Sequence, residues 1–337
     1  MPQQHLLNLR TLADATTDDY GLLGFQGYEG ISEPFSYRLE LVTTVDDDIS
    51  KWIGKLAGFG VSPHGGTQRV FAGRIYAVRR AVIDGRVHIY VKLGPAAYAL
   101  HYGRATHFIQ DKSSVDIFEA MTGDVPGLVK TVNVSPAPPR RGYAVRYDED
   151  ELSFLSRLLA QDGIMYFFRY DRGAGAYRHK MIVSTSTSDY IDVACGPVEF
   201  LPHSAAGAVT GLEHKYLARA RKHKHVSFNV NKLDTPLVKT SSDADSWGAV
   251  YPHEHETIGF EAMAEGDVAA RQTATDQHLM ETGDLIEGRS TEPSFLAGGR
   301  VEIEGGAPTA PRRVVLTSVT HSASDGWMLP GAQTGSY

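Results

Sequence analysis

The chain has 337 residues, 22% charged and 42% hydrophobic, with 33 Lys and Arg against 40 Asp and Glu for a net charge of −7. That length suggests about two domains, each able to bury its own core. The composition excludes a disordered chain, and the acidic balance argues against a nonspecific grip on nucleic-acid phosphates. The single cysteine, Cys195, excludes an intramolecular disulfide and a cysteine-based zinc site, as expected of a chain folded in a reducing cytoplasm.

The opening stretch MPQQHLLNLRTLADATTDDYG carries acids and polar residues where a signal peptide needs a basic start and a continuous apolar core. No apolar run approaches the roughly 20 residues that span a bilayer. The expectation is cytoplasmic assembly without a membrane segment, and any exit from the cell by a route other than ordinary secretion.

Strand patterns fill the first hundred residues. FSYRLELVTT (35–44) sets Phe35, Tyr37, Leu39 and Leu41 on one face and Ser36, Arg38 and Glu40 on the other, the two-residue period of a half-buried strand. DDDISKWIGKLA (46–57) offers aspartate caps for a short helix. RVFAGRIYAVRRAV (69–82) and VHIYVKL (87–93) flank Asp84-Gly85, a strong hairpin turn signal. In DKSSVDIFEAMTGD, Ser113 or Ser114 can cap a helix whose apolar stripe is Val115, Ile117, Phe118 and Met121. The three prolines of SPAPPRRG (135–142) then deny both helix and inner strand.

In YDEDELSFLSRLLAQDGIMYFFRY (147–170), Asp148 and Glu151 have capping-box spacing. Leu152, Leu155, Leu158 and Leu159 share a helical face with Phe154 beside it, Gly163 supplies a left-handed exit, and IMYFFRY reads as a buried strand. By this reading, Asp148→Ala costs about 1 kcal/mol of helix stability and no chemistry. Further strands are expected at HKMIVS (179–184), KHVSFNVN (224–231), RVEIEG (300–305) and RRVVLTSVTHS (312–322). EGDVAARQTATDQHLMETG (265–283) reads as one longer helix through Val268, Ala269, Gln272 and His278, ending near Gly283.

Candidate chemistry is sparse. His253 and His255 in YPHEHETIGF point to the same side if the segment is a strand, and could share a metal with a distant third ligand in a metal-dependent hydrolase. Their spacing is not that of a helical zinc-protease motif, and a surface loop of solvated histidines is the alternative. RKHKH (221–225) reads as an exposed basic turn able to touch an acidic partner, its His223 and His225 flanked by cation-repelling Lys and Arg. Asp148, Glu149, Asp150 and Glu151 offer acid and base groups, but glycosidase chemistry needs carboxylates facing across a cleft. PHGG (63–66) is a turn, and GAG (173–175) lacks the helix that a dinucleotide loop requires. No nucleophile-elbow, Walker or calcium-loop motif occurs. Arg74, Tyr76, Arg79, Arg80, Arg86 and Tyr90 interleave cations and aromatics on the expected hairpin, a pattern better suited to a solvated face or a protein contact than to nucleic acid. No catalytic, cofactor-binding or metal-ligating residue is therefore assigned.

The segment YAVRYDEDELSFLSRLLAQDGIMYFFRY (143–170) resembles one in VgrG spike proteins of type VI secretion systems and in the related baseplate hubs of contractile phages. There an aromatic and acidic lead, a Leu-rich helix with an Arg-Leu-Leu core, Gly-Ile and an aromatic strand follow in the same order. GLLGFQGYEGISEPFSYRLELVT (21–43), VFAGRIYAV (70–78) and THFIQDKSSVDIFEAM (106–121) resemble further family segments in matching order. The resemblance runs from about residue 20 to residue 325 and covers the hub portion alone; the chain ends at GSY, about where the family continues toward an OB-fold and a β-helical needle.

The resemblance implies a mainly β (α+β) fold with few helices: two tube-like antiparallel β-barrel domains with helical insertions. Residues 1–104 would form the first tube domain, 105–200 a helix-containing segment and the second tube domain, and 201–337 strands completing both barrels plus a helical insertion, with interleaved boundaries. It further implies a homotrimer that adapts a hexameric inner tube to a threefold spike, with baseplate proteins as further partners and no cofactor. The protein would end in a phage tail or be exported by a contractile machine.

Overall fold

The computed structural model describes residues 7–12, 17–61, 69–171, 178–203, 207–218, 222–229, 232–241, 254–259, 266–269, 271–273, 284–305 and 313–324. Its first part is β1 (Leu7–Leu12), β2 (Tyr20–Gly30), β3 (Glu33–Thr43), β4 (Leu56–Val61), β5 (Arg69–Ile83) and β6 (Arg86–Gly94). The alternation in β3 holds residue by residue: Phe35, Tyr37, Leu39 and Leu41 are each at most 1% exposed. Between β5 and β6 the turn closes at Ile83 opposite Arg86, with Asp84 and Gly85 both in the left-handed region at φ of 50° and 74°. Asp48 caps a short 3₁₀ turn, Ile49–Trp52, by accepting from the Ser50 amide.

The middle of the chain is β7 (Arg104–Lys112), α1 (Ser114–Thr122), β8 (Val129–Asn133), β9 (Arg141–Asp150), α2 (Glu151–Gln161), β10 (Met165–Asp171) and β11 (Arg178–Ser184). Ser113 caps α1 in a reciprocal box with Asp116. Helix α2 begins two residues later than expected, and its cap is Asp150, whose side chain accepts from the Ser153 amide at 2.9 Å. Asp148 instead lies in β9, its φ positive at 42°. The apolar face of α2 is as expected: Leu152, Phe154, Leu155, Leu158 and Leu159 are all at most 3% exposed. Burial of each stabilises by about 1.5–3 kcal/mol before ordering entropy, which outweighs any single cap. Arg141, buried at the start of β9, reaches Gln161 Oε1 at 2.9 Å and Asp162 Oδ1 at 2.8 Å, fastening the strand to the far end of α2. Gly163 follows at φ 67° and releases the chain into β10.

The last part is β12 (Ile191–Asp192), β13 (Val198–Glu199), β14 (Val209–Tyr216), β15 (Lys222–Asn229), β16 (Lys232–Thr240), β17 (Glu254–Gly259), β18 (Asp284–Ser290), β19 (Gly299–Glu304), β20 (Arg313–Val315) and β21 (Ser318–Ser324). Of the longer helix expected over 265–283, residues 266–269 and 271–273 are helical; His278 and Gly283 lie outside the described residues.

The fold is mainly β with few helices. Its largest unit is a curled antiparallel sheet of seven strands in the order β1-β4-β5-β6-β3-β2-β21. Its aromatic interior, with α1, α2 and β10 packed on it, forms one core running from Tyr20 to Val183. A second core gathers Val193, Val198, Val209, Phe295, Val301 and Ile303. Outside the large sheet the pairing is mixed: β8 with β11, β12 and β13 with β19, and β15 with β17 are parallel. No described helix is long and apolar enough to cross a membrane.

Candidate functional site

The most developed polar constellation lies inside the large sheet. Counting by twos from Phe25 along β2 turns Gly27 and Glu29 inward, and Glu29 is 3% exposed. Gly27 has no side chain to fill its place: a Cβ there would lie 2.5 Å from Tyr37 Cδ1, so the ring of Tyr37 lies across β2 and its hydroxyl donates to Glu29 Oε1 at 2.8 Å. Tyr170, from β10, closes a short hydroxyl contact with Tyr37.

Arg69, the first residue of β5, pairs through Nη2 with Glu29 Oε1. Its Nη1 donates to the carbonyls of Pro293, at 3.0 Å, and Phe295, while its guanidinium carbon stands 4.2 Å over the Phe71 ring. His321 from β21 completes the group, its Nε2 3.4 Å from Glu29 Oε1 and 3.2 Å from Arg69 Nη1. Segments more than 220 residues apart thus meet at one carboxylate.

Electrostatics follow from burial and pairing. Burial alone would raise the Glu29 pKa, but the Arg69 charge and the hydrogen bonds from His321 and Tyr37 overcome it and hold the group at about 2. Burial, reinforced by the Glu29 charge, pushes the Tyr37 and Tyr170 hydroxyls well above their ordinary range. His321 is lowered, mainly by burial and then by Arg69, against the opposing bond to Glu29. A carboxylate this completely engaged is a poor acid or base. What the arrangement does is bind β2, β3, β5, β10, β21 and the 293–295 segment into one unit.

The residues expected from sequence to carry chemistry fall elsewhere. His253 lies outside the described residues, and His255 stands in β17 opposite His223 of β15, so residues 254–259 form a strand rather than a surface loop. The histidines of RKHKH are not in an exposed turn. They sit in β15, the central strand between β16 and β17, where His223 is 1% and His225 6% exposed. A basic run looks solvated in sequence, but a strand turns alternate residues inward, and here the histidines take the inner side. Both ring nitrogens of His223 are engaged, Nε2 with Thr257 Oγ1 at 3.0 Å and Nδ1 with Gln272 Nε2 at 3.2 Å, which opposes metal ligation with His255. Among the described residues, no three His, Cys, Asp or Glu side chains converge as a metal set.

The acidic cluster disperses similarly: Asp148 faces Arg104, Glu149 pairs with Arg157, Asp150 caps α2 and meets His101 at 2.9 Å, and Glu151 holds buried Arg146 at 2.6 Å. Of Arg74, Arg79, Arg80 and Arg86 on the β5–β6 hairpin, three are locally occupied too. Arg74 donates to the Gly54 carbonyl at 2.6 Å, Arg79 lies over Tyr90, and Arg80 meets Asp46 at 2.6 Å. Cys195 is partly buried and its thiol pKa is raised by that burial. The Glu29 group was not anticipated, although an acid in the inward period of β2 was its visible sign.

A curled sheet with few helices is a fold this chain shares with solved proteins of phage tails and of type VI secretion. The E. coli c3393 protein, described as a component of the type VI secretion system with structural similarity to the T4 bacteriophage tail proteins gp27 and gp5, superposes with a TM-score of 0.67 at 19% identity, covering 95% of this chain and 73% of that one. The tail protein of Neisseria meningitidis MC58 gives 0.65 at 10% identity over 95% and 92% of the two chains. Residues 28–327 match the family model described as phage tail baseplate hub (GPD), and the chain belongs to that family. Among curated relatives, the type VI secretion system spike protein VgrG1b of Pseudomonas aeruginosa is 29% identical over 161 residues, 47% of this chain and 21% of that protein. The chain thus matches about a fifth of the length of such a relative. The family is one of structural hub and spike proteins, as the sequence resemblance implied.

Proposed function

We propose that this chain is the structural hub of a contractile injection machine, three copies closing into a ring that adapts a hexameric inner tube to a threefold spike. The observation that carries the reading is the family match over residues 28–327, which takes in the large sheet from the end of β2 onward, both helices and the second core. Closed cyclic symmetry suits a strand-rich chain, because it removes sheet edges that would otherwise recruit further chains. In this reading the division at residues 104 and 200, the cytoplasmic assembly of the ring, and its departure within a tail or exported machine are parts of the proposal. The described residues act by packing, and the proposal assigns them no catalytic step.

Sedimentation or light scattering of the purified chain tests the proposal. The expected mass is three times that of the 36.8 kDa chain, with binding to the tube protein. A chain that remains monomeric at all accessible concentrations and ignores the tube protein would refute it.

A further inference from the structure

The ribbon of β7 and β9 carries an exposed aromatic patch. Phe108 is 65%, Tyr143 47% and Tyr147 77% exposed, and Phe108 stacks on Tyr143 with centroids 5.9 Å apart and 26° between the ring planes. The pleat accounts for the sidedness. Ala144 and Arg146 turn inward at 3% and 2% exposure, so alternation sends Tyr143, Val145 and Tyr147 outward, beside Phe108, which the register sets opposite Val145. Large exposed rings gathered on one face of a soluble protein mark a contact surface.

The edges add to the face. Among the described residues, β7 and β9 pair with each other and with no third strand. Along its nine residues β7 is exposed or half-exposed throughout. Side chains cap single carbonyls on each strand, Arg157 on Val145 of β9 at 3.1 Å and Arg146 on Ala105 of β7 at 3.2 Å, but no described strand covers either outer edge. An open edge is a template for a strand of another chain.

Charge order selects the occupant. β7 starts with Arg104 and comes to Asp111 near its end, whereas the β9 arm runs from Arg140 and Arg141 to Asp148 and Glu149. Antiparallel, the two strands bring Arg104 Nε to 3.8 Å from Asp148 Oδ1 and Arg140 Nη1 to 3.9 Å from Asp111 Oδ2, while Arg141, which the register sets opposite Lys112, turns its buried guanidinium away to Asp162. The four side chains of the first two pairs are 64–82% exposed, so each is free to turn to a neighbour. A strand that completes the open β7 edge needs the charge order of β9, and every further copy of the chain brings a β9.

We infer that the β7 edge and aromatic face of one copy dock on the β9 side of the ribbon of a second copy, head to tail. This rests on the trimeric-hub reading and adds the surface that builds the ring. Unlike edges meeting head to tail can close into a ring, whereas like edges meeting would stop at a dimer.

The test compares the full-length chain with F108S/Y143S and, separately, Tyr147→Ser, each followed by light scattering across a concentration series, with far-UV circular dichroism as the check on folding. The wild type is expected to be a trimer, and each variant to keep its dichroism while its association midpoint rises at least tenfold. Should the double variant not fold, Tyr147→Ser decides alone, since that side chain is the most exposed of the three. A folded variant that trimerises like the wild type would overturn the ribbon contact while leaving the hub reading intact, as would a variant that keeps the trimer but loses the tube protein. A wild-type dimer would overturn the head-to-tail arrangement, and a persistent monomer would overturn both readings.

Discussion

His179, on β11, couples the stability of the first core to pH. Its imidazole is 3% exposed, stands edge-on to Phe35, and accepts a hydrogen bond from the Ala96 amide through Nε2 at 2.7 Å. Nδ1 therefore carries the proton of the neutral ring, and a second proton could enter only by breaking the bond to Ala96. Burial, with a smaller contribution from Arg74, lowers the pKa from 6.5 to about 4. The folded state thus binds protons less readily than the unfolded chain, so stability is fully present above pH 6.5 and falls as the pH drops toward 4. Between pH 7.5 and 5.0 the loss from this one group is about 2 kcal/mol, at about 1.36 kcal/mol per pH unit once the unfolded imidazole is protonated. Glu29, lowered from 4.5 to about 2, supplies stability that disappears only below pH 4.5, so it does not enter that window. His321 and His225 are lowered as well and act in the same direction, which makes a comparison with a non-titrating variant necessary. The assay is urea unfolding of the wild type and of His179→Gln, whose side-chain oxygen can accept the Ala96 amide, at both pH values. The wild type should lose about 2 kcal/mol more than the variant on acidification. Equal losses in the two proteins would show that His179 is not held neutral by the fold.

Three further outcomes follow from the packing. Arg69→Met leaves the Glu29 carboxylate buried without its cation and should cost about 3–5 kcal/mol in urea unfolding, with the double variant E29L/R69M recovering part of that loss. Gly27→Ala puts a methyl group against the Tyr37 ring and should cost about 1–3 kcal/mol, a shift visible in the thermal midpoint. Asp150→Ala should cost about 1 kcal/mol through the lost cap of α2, whereas Asp148→Gly, at a left-handed position with a solvated ion pair, should change the denaturation midpoint little.

Local periodicity made much of the fold legible. The alternation of Phe35 to Leu41, the Asp84-Gly85 turn, the Ser113 cap and the leucine face of α2 each depend on neighbours within a few residues, and each is found in place. The α2 cap was misplaced because DEDE offers several acids at capping spacing. What decides among them is the partner strand: β9 continues through Asp150, paired with Arg104, so the helix cannot start earlier. The burial of His223 and His225 was hidden for a related reason, since flanking lysines suggest water while strand register sets which side chains face inward. The Glu29 lock was illegible as a whole, because its members come from β2, β3, β5, β10 and β21 and only the folded chain brings them together.

Arg69 also sets an order of events during synthesis. Its backbone acceptors at Pro293 and Phe295 lie 224 and 226 residues downstream, and His321 lies 252 residues downstream. At about 5–20 residues per second, a ribosome needs roughly 13–50 s to deliver His321 after Arg69. Through that interval β2 lacks β21 on its outer side, and the nascent N-terminal sheet carries an open edge beside an incompletely satisfied ion pair. The last described strand is therefore the one that covers the outer side of β2, so a ribosome that stalls before residue 318 leaves β2 uncovered and the product primed to aggregate.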